Sequence, residues 1–481
     1  MTKAAVLDYD LAVIGSGGGA FAAAIRATAL GKRVVMIERG TVGGTCVNTG
    51  CVPSKALLAA ADARHVALDA SARFPGINAW AGDVDMSGLI GDKQALVETM
   101  RAGKYVDLIG AYGWTLRQGN AAFAGTADEP VLEITSADGS VQVVRAAHYL
   151  VATGSAPWAP AIEGLDGVDY LTSTTAMQLQ EVPASLLVIG GGYVALEQAQ
   201  LFARLGSQVT MLVRSRLASG EEPDVSRTLV GVFADEGIRV VRRALASAVH
   251  TDPATGEVVL TASVAGGHEE FRAGRLLVAT GRRPVTQGLN LDAVGVATGD
   301  RGEVVVQNTL VSTNPRIWAA GDVTGHREFV YVAASHGALV VENAFNDARG
   351  EVDYRNLPRV TFTSPQVAAV GMTDKQANAA GIGCRCQVLP LEYVPRALVN
   401  RDTRGFIKMV ADADTGRILG ITAVARDAGE IAAAGVYILE AAMTVQQVAG
   451  MWSPYLTMAE GIKIAAQSFT TDVSRLSCCA A

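Results

Sequence analysis

Residues 10–20 read DLAVIGSGGGA, and this stretch predicts the fold at the start of the chain. Its apolar residues predict a short buried strand, its glycines a tight turn, and the Ala-rich residues 21–30 a helix, before a second strand at residues 33–37 ends at Glu38. The glycines let the backbone approach a pyrophosphate, the helix N-terminus offers free N–H groups, and the terminal acid can accept hydrogen bonds from a ribose. This order of elements favours an adenine-dinucleotide site over a Gly-rich turn with only a structural role. The residues assigned to the site are Gly15, Gly17, Gly18, Ala20 and Glu38.

The same design recurs at residues 186–213. The apolar run LLVI precedes GGGYVA at residues 190–195, a helix is predicted as far as Leu205, and a strand follows at residues 208–213. The repetition predicts a second dinucleotide site in the same chain. The residues assigned to it are Gly190, Gly192, Ala195, Arg214 and Arg216.

The second site lacks the acid of the first. The interval from Gly15 to Glu38, counted again from Gly190, ends at Val213, and two arginines follow within three residues. An acid at this place would repel a 2′-phosphate, whereas arginines can bind one through charge-assisted hydrogen bonds. The sequence therefore predicts NADPH rather than NADH here. The alternative is that both arginines are ordinary surface charges.

Two dinucleotide sites imply one bound flavin and one exchangeable nicotinamide. Two further stretches, VATG at residues 151–154 and VATGRRP at residues 278–284, each end a strand with a turn where the chain could cross between domains. An acid also follows the buried stretch IWAAG at residues 317–321, in a position to bind a cofactor hydroxyl. The residues assigned to cofactor binding from these stretches are Gly154, Gly281 and Asp322.

Two cysteines occur in the stretch GGTCVNTGCVPSK at residues 43–55. Pro53 suits the first turn of a helix that is predicted to continue through residues 54–63. A helix N-terminus lowers the pKa of a thiol, and four intervening residues can close a helical turn that brings the sulfurs of Cys46 and Cys51 together. A zinc site is less well supported, because no second Cys or His pair follows at a suitable spacing. The pattern predicts a redox-active dithiol.

The composition excludes several classes of partner. The chain has 481 residues, 49% of them hydrophobic, and a net charge of -7 with no basic surplus for nucleic acid or anionic membranes. Asp8 and Asp10 interrupt any export signal, and no long uncharged apolar run follows, so no membrane insertion is expected. We expect a cytoplasmic protein with small-molecule partners, in a reducing compartment where thiol chemistry is more common than structural disulfides.

Nearly the whole chain resembles the class I pyridine nucleotide-disulfide oxidoreductases, the family of glutathione reductase and dihydrolipoamide dehydrogenase. The resemblance rests on the two glycine turns, the cysteine block at residues 43–55, Glu38 and the AGD motif at residues 320–322. It implies an α/β fold with two Rossmann-like domains and a C-terminal α+β dimerisation domain. It also implies FAD at the first site, NADPH at the second and a homodimer. The expected domain limits are 1–157 and 285–353 for FAD, 158–284 for NADPH and 354–481 for dimerisation.

The resemblance also implies roles for individual residues. The second cysteine of the family's pair lies against the flavin and the first exchanges with substrate, which assigns these roles to Cys51 and Cys46. Lys55 and Glu197 match the family's ion pair beside the flavin, and Tyr193 matches its aromatic lid over the nicotinamide pocket. Within the cysteine block, the residues assigned to FAD are Gly44 and Thr45.

The C-terminal region departs from the disulfide-reducing members. Those proteins have a His-Pro motif, with a Glu five residues after the His, that protonates the leaving thiol. This chain has YLTMAE at residues 455–460, and its last histidine is His336. The adjacent pair Cys478 and Cys479 follows near the end of the chain. The acid that releases a thiol is therefore missing, and a second dithiol is present.

This departure resembles the branch of the family that handles mercury. Hg(II) is a soft ion that prefers thiolates, and it leaves a tight thiolate site by exchange onto another thiolate. We expect Cys478 and Cys479 to deliver thiol-bound Hg(II) across the dimer interface to Cys46 and Cys51, where reduction gives Hg(0). The resemblance assigns Tyr105 and Tyr455 to the transfer site, although ordinary packing of Tyr455 and a tail without function are alternatives. No N-terminal metal-trapping domain is expected, because the chain starts at the flavin motif.

Two rival functions are weighed against this one. Another disulfide or dihydrolipoamide reductase would need the absent His, and a non-catalytic mercury-binding protein or redox sensor would not need an NADPH site. The remaining cysteines, Cys384 and Cys386, match no motif of the family, and we interpret them as incidental, with accessory metal contact as the alternative.

Overall fold

The computed structural model describes residues 7–477. Its first part forms a sheet around the first glycine turn. The helices and strands of this part are β1 (Leu7–Ile14), α1 (Gly18–Ala29), β2 (Val34–Glu38), α2 (Gly44–Asn48), α3 (Cys51–Arg73), α4 (Met86–Arg101), α5 (Asp107–Ala111), β3 (Thr115–Gln118), β4 (Asn120–Gly125), β5 (Pro130–Thr135), β6 (Val141–Val151) and β7 (Ser155–Pro157).

The middle of the chain forms the second nucleotide fold and then returns to the first. Its elements are α6 (Ser173–Ala176), β8 (Ser185–Ile189), α7 (Tyr193–Leu205), β9 (Gln208–Val213), α8 (Pro223–Asp235), β10 (Arg239–Arg242), β11 (Leu245–Thr251), β12 (Val258–Val264), β13 (Gly267–Ala273), β14 (Arg275–Val278), β15 (Arg282–Pro284), β16 (Ile317–Ala319) and α9 (Val330–Asn346).

The C-terminal part is a separate layer of sheet and helices. Its elements are β17 (Arg359–Thr361), β18 (Gln366–Gly371), α10 (Asp374–Ala379), β19 (Cys384–Pro390), α11 (Pro395–Asn400), β20 (Phe406–Asp412), β21 (Ile418–Ala425), α12 (Ala428–Glu440), α13 (Val445–Ala449) and α14 (Glu460–Gln467).

The sheets have the topology expected of a repeated dinucleotide fold. The first runs β3-β2-β1-β6-β5-β4, with β16 also paired to β6, and the second is the parallel sheet β10-β9-β8-β14. A five-stranded antiparallel sheet in the order β17-β18-β21-β20-β19 forms the C-terminal part. Between the first two sheets the chain crosses through β7 and returns through β15, which pair antiparallel. The expected α/β fold is therefore present, while the domain limits at residues 157, 284 and 353 stay predictions.

Each glycine turn lies in close contact with a second turn of the chain, one of the two VATG stretches. A Cβ atom at Gly15, where φ is +107°, would lie 2.4 Å from the carbonyl oxygen of Ala152. The equivalent atom at Gly190, where φ is +139°, would lie 2.3 Å from the carbonyl oxygen of Ala279. A side chain is excluded at either position by both backbone conformation and space. The two VATG stretches are thus the close partners of the two glycine turns.

The predicted elements differ from the structure mainly at their ends. The first helix begins at Gly18 rather than residue 21, within the glycine turn itself. Helix α3 begins at Cys51, which places Pro53 in its first turn as predicted, and it continues to Arg73 rather than ending at residue 63. Cys46 lies in its own short helix α2, so two helices rather than one turn bring the cysteines together. Among residues 7–477, no helix is long and apolar enough to cross a membrane.

Candidate active site

The two cysteines of the first motif form a hydrogen-bonded thiol pair. The hydrogen bond to Cys51, together with burial, raises the pKa of Cys46. The hydrogen bond from Cys46 and the ammonium of Lys55 lower the pKa of Cys51 to about 7, against the opposing effects of burial and Glu197. Cys51 also begins α3, whose N-terminus favours a thiolate. At neutral pH the negative charge of the reduced pair therefore belongs to Cys51.

Lys55 is held in place from two sides. Its Nζ lies 2.7 Å from Oε2 of Glu197 and 4.6 Å from the centre of the Phe362 ring. The backbone N–H of Phe362 donates to the other carboxylate oxygen, Oε1 of Glu197, at 2.9 Å. The Glu197 side chain is only 8% exposed, so its charge is compensated inside the protein. Buried Leu57 and Ala61 of α3 belong to the same hydrophobic core as α7, which fixes this contact between the two helices.

The cysteines face a pocket built from the first glycine turn. A Cβ atom at Gly44 would lie 2.5 Å from the Cα of Gly17, so the loop before the cysteines touches the turn. This wall of bare backbone leaves room for a flat ligand beside the thiols and suits a bound pyrophosphate. The residues that line the pocket include Gly17, Gly18, Thr45, Cys46, Cys51, Lys55, Gly154, Tyr193, Glu197 and Asp322. The residues present therefore fit FAD.

The two predicted acids are positioned by hydrogen bonds. At the end of β2, the carboxylate of Glu38 accepts from the hydroxyl of Ser16 and from the backbone N–H of Gly40 at 2.7 Å. The carboxylate of Asp322 accepts from the hydroxyl of Ser155 at 2.7 Å. Each acid thus lies where a parallel strand ends, which is where this type of fold binds cofactor hydroxyls.

The second glycine turn forms its own pocket with the predicted arginines. The pocket is lined by Gly190, Gly192, Tyr193, Arg214, Arg216 and Gly281, among others. Nη2 of Arg216 donates to the carbonyl oxygens of Ser219 and Glu221, whereas its buried Nη1 has no hydrogen-bond partner among the described residues. A buried guanidinium N–H without a partner needs an acceptor, and a phosphate oxygen supplies one. The site fits NADPH.

Tyr193 lies between the two pockets and lines both. Its ring stacks on Phe329 with 6.4 Å between ring centres. Burial, followed by the charges of Glu328 and Asp322, raises its pKa to about 12, so the phenol stays neutral. A neutral aromatic ring between a flavin pocket and a nicotinamide pocket is suited to act as a lid.

Of the remaining predicted site residues, the structure places some near the two cysteines and others elsewhere. The rings of Tyr105 and Phe21 pack edge to face, with 4.8 Å between their centres. Burial, followed by the neighbouring cysteines, raises the pKa of Tyr105. Tyr455 lies in the C-terminal part, 47% exposed, and does not line the cysteine pocket of its own chain. Cys478 and Cys479 lie outside the described residues. One chain therefore brings Tyr105 to the dithiol but not Tyr455.

The cysteine pocket contains no histidine among its described lining residues. Where the disulfide reductases have their His–Glu couple, Glu460 accepts from the backbone N–H of Leu456 at 3.1 Å. Because the sequence has no histidine after His336, a partner subunit cannot supply one from its C-terminal part either. The site therefore has a dithiol without the acid that releases a thiol.

Two family profiles match almost the whole chain. Pyridine nucleotide-disulphide oxidoreductase matches residues 9–337, and the dimerisation domain of the same family matches residues 357–466.

The chain belongs to the pyridine nucleotide-disulphide oxidoreductase family. Its curated relatives include mercuric reductases from Streptomyces lividans, 58% identical over 98% of both chains, and from Bacillus cereus, 45% identical over 98% of this chain and 73% of that protein. Another, from Shigella flexneri, is 43% identical over 98% of this chain and 82% of that protein. The chain belongs with these reductases, and the expectation of an enzyme of this type is confirmed.

Solved structures of the family agree with the fold. The Cu(II) complex of the flavoprotein disulfide reductase RclA from Escherichia coli has a TM-score of 0.86 at 26% identity, covering 97% of this chain and 100% of that one. LpdA from Mycobacterium tuberculosis has a TM-score of 0.86 at 26% identity, covering 96% and 100%. As a pyridine nucleotide-disulphide oxidoreductase of this branch, the enzyme uses FAD and NADPH, and its C-terminal part is the family's dimerisation domain.

Sequence reasoning missed three residues at the reductase site. Arg282 donates from Nε to the hydroxyl of Ser155 at 2.7 Å, and this hydroxyl in turn binds Asp322. Glu328 lines both pockets beside Tyr193. Arg282 was visible in the VATGRRP stretch as a charge next to a turn glycine, but no local signal indicates Ser155 or Glu328.

Proposed function

We propose that the protein reduces thiol-bound Hg(II) to Hg(0) with electrons from NADPH, and that Cys46 and Cys51 hold the ion during reduction. The observation that carries the proposal is a polarised dithiol, with the charge on Cys51, in a flavin pocket whose described lining contains no histidine. The 58% identity to a mercuric reductase supports the same substrate. The balanced reaction converts NADPH and Hg(II) into NADP⁺, one proton and Hg(0).

In this mechanism Cys51 provides the thiolate and Cys46 the exchange thiol. Bound FAD would relay the two electrons from NADPH to the ion. The Cys51 thiolate displaces one ligand of the incoming complex, and Cys46 displaces the second while its proton passes to the departing thiol. Once Hg(0), which has little affinity for thiolates, has left, the proton released from NADPH returns Cys46 to its thiol form, and Cys51 stays a thiolate.

The surrounding residues position this cysteine pair relative to the cofactor sites. Lys55, fixed by Glu197, favours the thiolate of Cys51 and holds α3 against α7. Tyr193 covers the nicotinamide pocket, and Arg214 with Arg216 selects the 2′-phosphate. Glu38 and Asp322 would hold hydroxyls of FAD, and the glycines of the first turn, Thr45 and Gly154 would leave room for it in the pocket.

Delivery of the ion involves the C-terminal part of a second subunit. Cys478 and Cys479 capture Hg(II) and pass it to Cys46 and Cys51 across the dimer interface. Tyr455 lies half exposed on the dimerisation domain and is assigned to the pocket of the neighbouring subunit. Tyr105, kept neutral by its raised pKa, is a weak oxygen donor in the pocket of its own subunit. The reaction needs NADPH and small thiols, so we assign it to the cytoplasm.

A substrate panel tests the proposal. Purified enzyme is given NADPH with Hg(II) in excess small thiol, with oxidised glutathione, or with lipoamide, and NADPH oxidation is followed at steady state. We expect sustained turnover with Hg(II) alone. Efficient turnover of either disulfide would favour the disulfide reductases, and a single stoichiometric oxidation without turnover would favour a mercury-binding protein or redox sensor.

A further inference from the structure

Cys384 and Cys386 lie on β19, the edge strand of the C-terminal sheet, and both are half-buried. Alternate residues of a strand point to the same face. The residue between them, Arg385, points to the other face, where its guanidinium lies 5.6 Å from the centre of the Phe469 ring. The two thiols therefore share one face of an edge strand.

Helix α10 covers this face. The sulfur of Cys384 lies 3.7 Å from Oδ1 of Asn378 and 3.9 Å from the carbonyl oxygen of Asp374. Burial and then the neighbouring Cys384 and Asp374 raise the pKa of Cys386 to about 11, while Lys408 opposes the shift. The two thiols thus lie side by side on the face of β19 that α10 covers, with two oxygen atoms of α10 beside the sulfur of Cys384.

The spacing of Cys384 and Cys386 favours a metal ion bound between them over a disulfide. Alternate strand residues are roughly 6.6 Å apart along the chain. A disulfide needs Cβ atoms about 3.5–4.5 Å apart, which this strand cannot provide without losing its pairing to β20. A linear two-coordinate ion needs sulfurs on the order of 4.6 Å apart, twice a metal–thiolate bond of about 2.3 Å. Side chains that lean together by about 1 Å each reach that separation.

We propose that Cys384 and Cys386 form a second dithiol site for a soft two-coordinate cation such as Hg(II), in the dimerisation domain and separate from Cys46 and Cys51. Among residues 7–477 there is no group of three or more potential metal-binding side chains, so the site relies on two sulfurs. This suits Hg(II) better than zinc, which takes four ligands. The proposal corresponds to the accessory metal contact that the sequence left as the alternative to an incidental pair.

Binding at this site is ligand exchange without electron transfer. Each thiol loses its proton, two Hg–S bonds form at the pair, and two Hg–S bonds to small-thiol ligands break. The departing thiolates take up the two protons. Neither cysteine lines the flavin pocket or the NADPH pocket, so an ion held here is stored and is not reduced in place.

The test measures mercury retention rather than turnover. The background is the full-length holoenzyme with Cys46→Ser, Cys51→Ser, Cys478→Ser and Cys479→Ser, which removes the four cysteines of the proposed function. It is mixed with HgCl₂ in excess 2-mercaptoethanol, passed through a desalting column and analysed for mercury per chain and for Hg–thiolate ultraviolet absorption. We expect about one Hg(II) per chain, because two tethered thiols outcompete a free monothiol.

Variants of the pair then decide the assignment. Adding either Cys384→Ser or Cys386→Ser should lower retention about tenfold or more, since one thiol loses the chelate advantage. Gln387→Ser, on the same strand, is the matched control and should retain the ion, and FAD content checks folding. No retention in the background, or equal retention after losing either cysteine, would overturn the proposal. Neither result bears on the reduction of Hg(II) at Cys46 and Cys51, which is measured by turnover of the unmodified enzyme.

Discussion

Nζ of Lys55 lies 2.7 Å from Oε2 of Glu197, and this contact joins the helix that begins with Cys51 to the helix that begins with Tyr193. After the hydrogen bond from Cys46, which lowers the pKa of Cys51 most, Lys55 lowers it further while Glu197 raises it, so the ion pair adjusts the charge of the thiol that faces the flavin pocket. The dithiol and the nucleotide turn are thereby coupled through one ion pair.

Removing the positive charge or the negative charge of this ion pair should shift the pKa of Cys51 in opposite directions. In the two-electron-reduced enzyme, the thiolate-to-flavin absorption should appear as the pH rises through about 7, the pKa of Cys51. Lys55→Met removes a stabilising positive charge, so the midpoint should rise by on the order of one pH unit. Glu197→Gln removes a negative charge and should lower the midpoint. Shifts of the same sign in both variants would contradict this electrostatic account.

Selection of NADPH should depend on Arg214. Arg216 also holds the carbonyl oxygens of Ser219 and Glu221, so its replacement would disturb a loop, which makes Arg214→Glu the cleaner change. Losing one charge-assisted contact costs ~1.5–3 kcal/mol, so the KM for NADPH should rise roughly 10- to 150-fold while that for NADH changes little. Arg349→Glu, on the exposed surface, is the charge-matched control. Equal KM values for both nucleotides in the unmodified enzyme would refute the assignment.

The tail pair, Cys478 and Cys479, should matter most when Hg(II) arrives tightly bound. Replacing both with Ala should leave FAD binding and flavin reduction by NADPH intact, because neither residue belongs to a cofactor motif. Turnover should fall, and the fall should be greater for Hg(II) held by two thiols than for weakly held Hg(II). Steady-state rates with each complex measure the difference, and an equal effect on both would argue against capture by the tail.

Mixed dimers show whether the tail acts between subunits. One subunit lacks Cys46 and Cys51 and the other lacks Cys478 and Cys479, so a site with all four cysteines exists only if the tail reaches its partner. We expect activity in the mixed dimers well above that of either parent variant. Activity no higher than the parents would exclude delivery between subunits and leave the cofactor assignments unchanged.

A buried ion pair should stabilise the contact between the dimerisation domain and the second nucleotide fold. Nζ of Lys408 lies 3.0 Å from Oε1 of Glu222, and their side chains are 6% and 3% exposed. Lys408→Met leaves a buried carboxylate unpaired, which costs about 3–5 kcal/mol and should lower the Tm clearly. Arg275→Met breaks an exposed pair with Asp169 and should cost at most about 1 kcal/mol. Similar Tm values for both variants would contradict the claim that the buried ion pair stabilises the protein more than the exposed one.

The sequence predicted most of the fold because its decisive signals are local. Gly15 and Gly190 follow buried strands and precede helices, and these patterns alone indicate both nucleotide folds. Cys46 and Cys51 were likewise visible as a short motif. The position of Pro53 in the first turn of α3 was also visible in this motif.

The rest of the site depends on contacts between distant parts of the chain. Ser155, between Arg282 and Asp322, and Glu328, beside Tyr193, carry no motif and become visible only when the sheets are assembled. The shared face of Cys384 and Cys386 was implicit in their spacing, but its significance required the strand and the helix that covers it.

Release of Hg(0) per NADPH oxidised tests the central claim most directly. The enzyme is supplied with NADPH and Hg(II) in excess small thiol, and mercury vapour is trapped and counted against NADPH consumed. We predict one Hg(0) per NADPH for the unmodified enzyme and for Cys384→Ala, and none for Cys51→Ala, because the thiolate that faces the flavin pocket is then absent. Continued release of Hg(0) by Cys51→Ala, or NADPH oxidation without Hg(0) in the unmodified enzyme, would contradict the account.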